Sequence, residues 1–447
     1  MSTAALTAHP PSPPGHWLFG HLLSFRNDVL GNLVRWSELG PVVQLRLLNK
    51  PAFLINEPAL IEYPLVSNHK NYIKNQLFWR HVKPLVGNGL LTSEGDFWRR
   101  QRRLSAPAFH APRIAEYGQV MVDYALREMR GWRDGDTRDL HRDAMALTSK
   151  IVAKTLFDDD HVEGELGEVG AAMDVVTHEI ARRLVLPFKL PDWLPMQRRY
   201  FAAIRSLHTV VERFITDHRA APQAKNTLLG MLMAARDEDG SAMSDQQLRD
   251  ESITLFLAGH ETTAITLSWT LWLLSQHPEI EARLAQELAA LKGAPPQAAD
   301  LPRLRYTDWV VKESMRLYPP AYLIGREPIR PDTLGGYSIP AGAVIYFSAW
   351  ALHRNPRHFP EPDRFKPERW DNELERRLPR FAYMPFGGGP RTCIGDRFAL
   401  MEAVLLLAAL VQRFRFEYLG TEPPTPYPSI TLRPMQGVPM RLSARPT

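Results

Sequence analysis

The chain has one thiol, Cys393, in the run Phe386-Gly387-Gly388-Gly389-Pro390-Arg391-Thr392-Cys393-Ile394-Gly395, and no other cysteine among its 447 residues. A thiol must ionise to ligate a metal well, and free cysteine does so only at a pH of about 8.5. Glycines at 387, 388 and 389 let a backbone turn tightly and approach a flat group. Backbone N–H groups around the sulfur, together with the N-terminus of a following helix, would favour its negative charge. Gly395 would leave room beside a bound ring. A lone cysteine is most often buried and inert. The glycine cradle and the arginine two places before the sulfur make Cys393 a candidate ligand instead. Zinc is disfavoured, because no second cysteine and no paired histidines stand at ligand spacing. A single cysteine permits no internal disulfide, which fits a reducing compartment.

A second constellation is Ala258-Gly259-His260-Glu261-Thr262-Thr263, which falls in the middle of a helical pattern. Glycine inside a helix costs roughly 1 kcal/mol against alanine. The small residues at 258 and 259 would let a cofactor or substrate lie against the backbone. A hydroxyl such as that of Thr262 can bond a preceding carbonyl and open the helix locally, and Glu261 beside it could relay protons. Alone, this is equally a satisfied polar notch. Glu313 and Arg316 stand three apart, on one helix face, a pair usually worth only a few tenths of a kcal/mol. Arg369 follows in Phe365-Lys366-Pro367-Glu368-Arg369-Trp370, and Trp98 and Arg102 share a face in Trp98-Arg99-Arg100-Gln101-Arg102.

Taken together, F-G-G-G-x-R-x-C-x-G, [AG]-G-x-[DE]-T, E-x-x-R with P-E-R-W, and W-x-x-x-R resemble the motifs of the cytochrome P450 family, in that family's order. The resemblance runs from Pro13-Pro14-Gly15 to Thr431-Leu432-Arg433-Pro434 and departs from the family pattern at Trp370, where phenylalanine is common. It implies haem b with Cys393 as the iron ligand, whose thiolate favours O–O cleavage. It makes Glu261 and Thr262 the proton-delivery pair, with His260 and Thr263 as bystanders. Glu313, Arg316 and Arg369 become a buried lock behind the cysteine loop. Trp98, Arg102, Arg326 and Arg391 become candidate anchors for the haem carboxylates, with Ala258, Phe386, Gly387 and Gly395 against the ring. The activity implied is insertion of one oxygen atom of O₂ into a hydrophobic substrate, by hydroxylation or epoxidation. Electrons would come from a separate ferredoxin or flavodoxin with its NAD(P)H-driven reductase. Arg99, Arg100 and Arg103 could form a basic docking patch for such an acidic partner. By analogy the pocket takes 76–91, parts of Thr177–Arg205, Phe256, Ala258, 321–324 and Gly437. The motif style leans towards fatty-acid hydroxylases over enzymes of small cyclic terpenes. Phenol coupling, peroxide-driven oxidation and a non-catalytic haem sensor are the rival readings.

These residues need a scaffold. Hydrophobic content of 45% and charged content of 23% are those of a globular protein. A net charge of +5, spread along the chain, suits an acidic protein partner better than nucleic acid. The N-terminus lacks the pattern of a signal peptide and of a membrane anchor. Residues 253–274 have spanning length but contain His260 and Glu261, which are costly in lipid, so they read as a buried helix. A cytoplasmic, bacterial monomer is expected. Val42–Leu47 and Ala52–Ile55 read as a hairpin. So do Tyr337–Ile339 and Val344–Tyr346, joined by Pro340-Ala341-Gly342. Residues from about 96 to 291 are helical in pattern. A capping box at Ser244 and Gln247 opens a long helix running towards Pro278, and Asp396 to Phe414 is a strongly apolar helix. The expected fold is a single, mainly α domain over residues 1–447, with a Pro-rich lead (1–20) and a small β-rich portion. Its long central helix would cross the haem, and the cysteine loop would precede the C-terminal apolar helix.

Overall fold

The structure is a computed structural model that describes residues 9–158, 193–220 and 227–445, together with 170, 172, 173, 175, 176, 178–180, 182 and 183. Residues 1–8 of the Pro-rich lead and Thr177, where one expected pocket segment begins, lie outside the described residues.

The central helix, Asp245–Gln276, starts where the sequence demands. Ser244 Oγ accepts from Gln247 N, and Gln247 Oε1 accepts from Ser244 N at 2.8 Å. It stops at His277, whose non-helical backbone (φ −132°, ψ 74°) precedes Pro278, the first residue of the next helix. Its 32 residues span about 48 Å. A helix apolar all round must lie inside a protein, and from residue 250 to residue 274 only Ala258, Gly259 and Thr262 are not buried. Those three residues form a window in an otherwise enclosed helix. Around it pack the helices Leu140–Phe157, Pro195–Ala220, Arg305–Leu317 and Asp396–Arg413. Among the described residues, no helix is long and apolar enough to cross a membrane.

The β-rich portion lies to one side. Strands β1 (Val42–Leu47), β2 (Lys50–Ile55), β3 (Tyr72–Lys74), β4 (Thr137–Asp139), β5 (Ile324–Pro328), β6 (Asp332–Leu334), β7 (Tyr337–Ile339) and β8 (Val344–Phe347) precede the cysteine loop. Strands β9 (Phe414–Tyr418), β10 (Pro426–Pro428), β11 (Leu432–Pro434) and β12 (Pro439–Ala444) follow it. The main sheet has the order β1-β2-β8-β5-β3, with β2 and β8 parallel. The β1–β2 hairpin forms in register Val42↔Ile55, turning at Leu48–Asn49, so β2 begins two residues before Ala52.

The second expected hairpin does not form. β7 pairs with β6, and β8 joins the main sheet between β2 and β5. Gly335 and Gly336, both at positive φ (60° and 84°), make the two-residue turn that β6–β7 needs. β8, almost wholly apolar and mostly buried, takes a central position that a two-stranded ribbon could not provide.

Candidate functional site

The cysteine loop closes on itself. Cys393 N donates to Phe386 O at 3.0 Å, Thr392 N to Gly389 O at 3.0 Å and Gly387 N to Met384 O at 3.1 Å. Its glycines answer mainly to protein neighbours. A Cβ on Gly388 would collide with the Phe381 ring, and one on Gly389, at φ +70°, with the Leu65 carbonyl. Gly387 also has φ +70°, a conformation glycine adopts without strain. A Cβ on Gly395 would find space, with Phe109 at an ordinary 3.6 Å. The Cys393 side chain is exposed by area, yet protein surrounds it closely enough to push the thiol pKa up, so it lines an internal cleft. The Gly395 N–H and Arg102 pull it back towards the thiolate, and Asp396 opposes them.

Arg102 Nη1 donates to Thr392 O at 2.9 Å, which ties the helix Gly95–Ser105 to the cysteine loop. Arg391 lies over the Trp98 ring, 4.2 Å from its centroid, bonds Ser93 O at 3.1 Å and pairs with Glu94. Ile394 packs against the apolar cluster that holds Val152, Phe256 and Leu257, beside the helix window.

Two buried cations complete this corner. Arg326, in β5, has burial first and Arg391 next pushing its pKa down to about 10. Its side chain bonds Gly325 O at 3.0 Å and makes no ion pair among the described residues. Lys74, opposite it in β3, donates to Leu90 O at 2.6 Å, and burial holds its pKa well below the ordinary lysine range. Lys74, Arg326 and Arg391 thus share the carboxylate of Glu94, and Lys74 alone also has Glu251 nearby. Such a surplus of buried positive charge suits a dianionic group. The two carboxylates of haem fit it, as do the thiol in its cleft and the uncovered Ala258–Thr262 window. Lys74 was not singled out from the sequence, because nothing in its local run marks it.

On the central helix, Thr262 Oγ1 donates to Ala258 O at 2.8 Å and Thr263 Oγ1 to Gly259 O at 3.4 Å. His260 is buried, with Nδ1 2.9 Å from Phe256 O. Glu261 points elsewhere. It is buried, and Oε1 accepts from Arg433 Nε at 2.6 Å and from the Thr431 hydroxyl. Burial raises its pKa, but the charge and hydrogen bond of Arg433 outweigh this and hold the carboxyl below the usual range. Arg433 and Thr431 carry no sign of this partnership in the sequence, being 172 and 170 residues away.

Glu313 gathers five donors: Arg316 Nε and Nη2 (2.9 Å each), Arg369 Nε (2.7 Å), Trp370 Nε1 (2.9 Å) and Lys366 N (3.0 Å). Arg316 also donates to His353 O at 2.8 Å, and His353 Nε2 accepts from Met384 N at 2.9 Å. The lock thereby reaches the segment leading into the cysteine loop. Burial, then Arg316, pushes His353 down to about 3, so it is the neutral acceptor that Met384 needs. The docking patch expected at 99, 100 and 103 is not a free basic surface. Arg100 and Arg103 both bind Asp237, and Arg99 binds Asp96.

Helical architecture, cysteine loop and cation corner together suit a haem-binding protein. The cytochrome P450 family profile matches residues 10–438. The chain is 38% identical to cyclooctatin synthase of Streptomyces melanosporofaciens, over 96% of this chain and 95% of that one. It is 35% identical to cyclooctat-9-en-7-ol 5-monooxygenase of the same organism, over 92% of each. It is 34% identical to pentalenene oxygenase of Streptomyces avermitilis, over 95% of each. Among solved structures, the heme domain of cytochrome P450DA matches with a TM-score of 0.90 at 27% identity, covering 99% of both chains. The chain belongs to the cytochrome P450 family and is a haem-binding monooxygenase.

Proposed function

We propose that this protein inserts one oxygen atom of O₂ into a cyclic terpenoid. The reading rests on one observation above the others: Ala258, Gly259 and Thr262 are the only uncovered residues in the middle of the central helix. The bacterial relatives are by name a cyclooctatin synthase, a cyclooctat-9-en-7-ol 5-monooxygenase and a pentalenene oxygenase, which supports this substrate class over the fatty acids that the motif style favoured.

Bound haem b would supply the activation of O₂. Cys393 would hold the iron through its sulfur, and Lys74, Arg326 and Arg391 would hold the carboxylates. Arg102 would steady the loop through the Thr392 carbonyl. Ala258 would leave room for substrate and O₂ against the helix backbone. Thr262 would present a hydroxyl there, already bonded to Ala258 O, and would take protons from Glu261. Apolar Phe78, Trp79 and Ile430, packed against the cluster of Phe256 and Leu257, would exclude water and receive a hydrocarbon. Electrons would reach the protein from a separate ferredoxin or flavodoxin, in the cytoplasm, with the protein acting as a monomer.

The test is the reduced, CO-bound difference spectrum of the purified protein, followed by titration with cyclic terpenes and fatty acids. A red-shifted Soret band that disappears in Cys393→His, and a low- to high-spin change with the terpenes alone, are expected. A histidine-type spectrum would remove Cys393, and a response to fatty acids alone would overturn the substrate class.

A further inference from the structure

The acid beside Thr262 is held by residues of a distant turn. Glu261 and Thr262 are consecutive on a helix, so their side chains leave it about 100° apart. Thr262 is half-buried at the window, whereas Glu261 is buried against the β10–β11 hairpin. Arg433, in β11, and Thr431, just before that strand, both donate to Glu261 Oε1. The hairpin itself is fixed. Trp269 Nε1 donates to Leu432 O at 2.9 Å, Leu432 N to Pro320 O at 3.1 Å, and Tyr322 Oη to Ser429 O at 3.0 Å.

Among the described residues, His260 and His141 also lie near the pair, and Asp139 acts on His141. His260, from the same helix, is buried and turned to Phe256 O. His141, from the helix Leu140–Phe157, has Nδ1 3.0 Å from Ser268 Oγ, and burial followed by Arg433 pushes it down to about 4. Arg433 is therefore the full positive charge that meets the acid. A carboxylate in this position cannot give a proton to Thr262 while both donors hold it.

We propose that Arg433, assisted by Thr431, is a positioning residue for proton delivery: it keeps Glu261 ionised and turned from Thr262 between turnovers. Its hold sets the pH range in which delivery works. This rests on the reading that Glu261 feeds Thr262. Removing the cation leaves a buried carboxyl without its counter-ion, which must then take up a proton.

The test uses the haem-loaded protein without added substrate, in the variants Arg433→Met, Arg433→Lys, Thr431→Val and Glu261→Gln. Infrared spectra at neutral pH should show a new carboxylic-acid C=O band in Arg433→Met, absent from the wild type and absent again in Arg433→Met/Glu261→Gln. NADPH-driven release of hydrogen peroxide, with a surrogate ferredoxin and reductase, is then followed against pH. The acid limb should move up by about one unit or more in Arg433→Met, less in Thr431→Val, and return in Arg433→Lys, each unit being a tenfold change in protonated fraction. An Arg433→Met or Thr431→Val protein with the wild-type profile and no new band would overturn the inference. Should Glu261→Gln itself match the wild type at every pH, the Glu261 relay would fall first. If Arg433→Met does not fold, Thr431→Val carries the same comparison.

Discussion

Trp370 donates its indole N–H to Glu313 Oε2 at 2.9 Å, on the oxygen that also takes Arg316 Nε. A residue that looks like a variant of an aromatic position thus contributes a hydrogen bond to a buried ionic lock. Glu313 and Arg316 are fully buried and Arg369 nearly so. Glu313→Ala leaves two guanidinium groups uncompensated, at about 3–5 kcal/mol, and the protein should be recovered with little haem. Trp370→Phe removes one donor of five and should cost about 1–3 kcal/mol while keeping its haem. Soret absorbance per protein and urea unfolding measure both. Normal haem content in Glu313→Ala would remove the lock from the assembly of the site.

Arg326 and Lys74 make a prediction with two signs. Each is a buried cation near Glu94, which is already bound to Arg391, and Lys74 is also near Glu251. Arg326→Met should raise the thermal stability of the haem-free protein, since replacing a buried charge by an apolar side chain of similar size is often stabilising. The same change should speed haem loss to an acceptor protein by about tenfold or more, for one lost charge-assisted hydrogen bond. Equal effects on both measurements would mean that Arg326 serves the fold and not the haem.

What the sequence shows and what it hides divide along chain distance. The cysteine loop, the Ser244–Gln247 cap and the Glu313–Arg316 spacing are local patterns, and each can be read from a few adjacent residues. His353, Thr431 and Arg433 act across 31, 170 and 172 residues, Lys74 meets Arg326 and Arg391 from distant segments, and no periodicity points to these partners. The β7–β8 hairpin was misread for a related reason. Alternation and a turn locate strands, but burial decides whom they pair with. Gly387 and Gly389 take the positive φ of a tight turn, whereas Gly388 is extended, and the packing that requires Gly388 and Gly389 comes from Phe381 and Leu65.

Thr262 bonds Ala258 O across the helix window. Thr262→Ala should leave haem content and substrate-induced spectral change intact while diverting NADPH from product to hydrogen peroxide. A several-fold rise in the peroxide-to-product ratio is expected, and an unchanged ratio would take Thr262 out of proton delivery.

Glu402 supplies a pH dependence. It is fully buried on the helix Asp396–Arg413, and neither oxygen has a partner within hydrogen-bonding distance among the described residues. Burial pushes it up to about 8, although the Thr263 hydroxyl lies near enough to favour the charged form a little. Because the folded value lies above the ordinary carboxylate value, the folded state binds the extra proton. Its contribution to stability is full below about 4.5 and is lost as pH rises through about 8. Glu402→Gln should match the wild type near pH 4 and exceed it at pH 9 by on the order of a few kcal/mol. Denaturant unfolding at the two pH values decides this. A constant difference would mean that Glu402 does not titrate in the fold.

The corner where Lys74, Arg326 and Arg391 share one carboxylate bears on the life of the protein in a cell. A guest that binds only the native chain lowers the fraction of molecules transiently open, and open molecules are those that proteases remove. Here that guest would also neutralise charge which otherwise opposes folding. The steady-state amount of this enzyme would then follow the supply of porphyrin iron, and not its rate of synthesis alone.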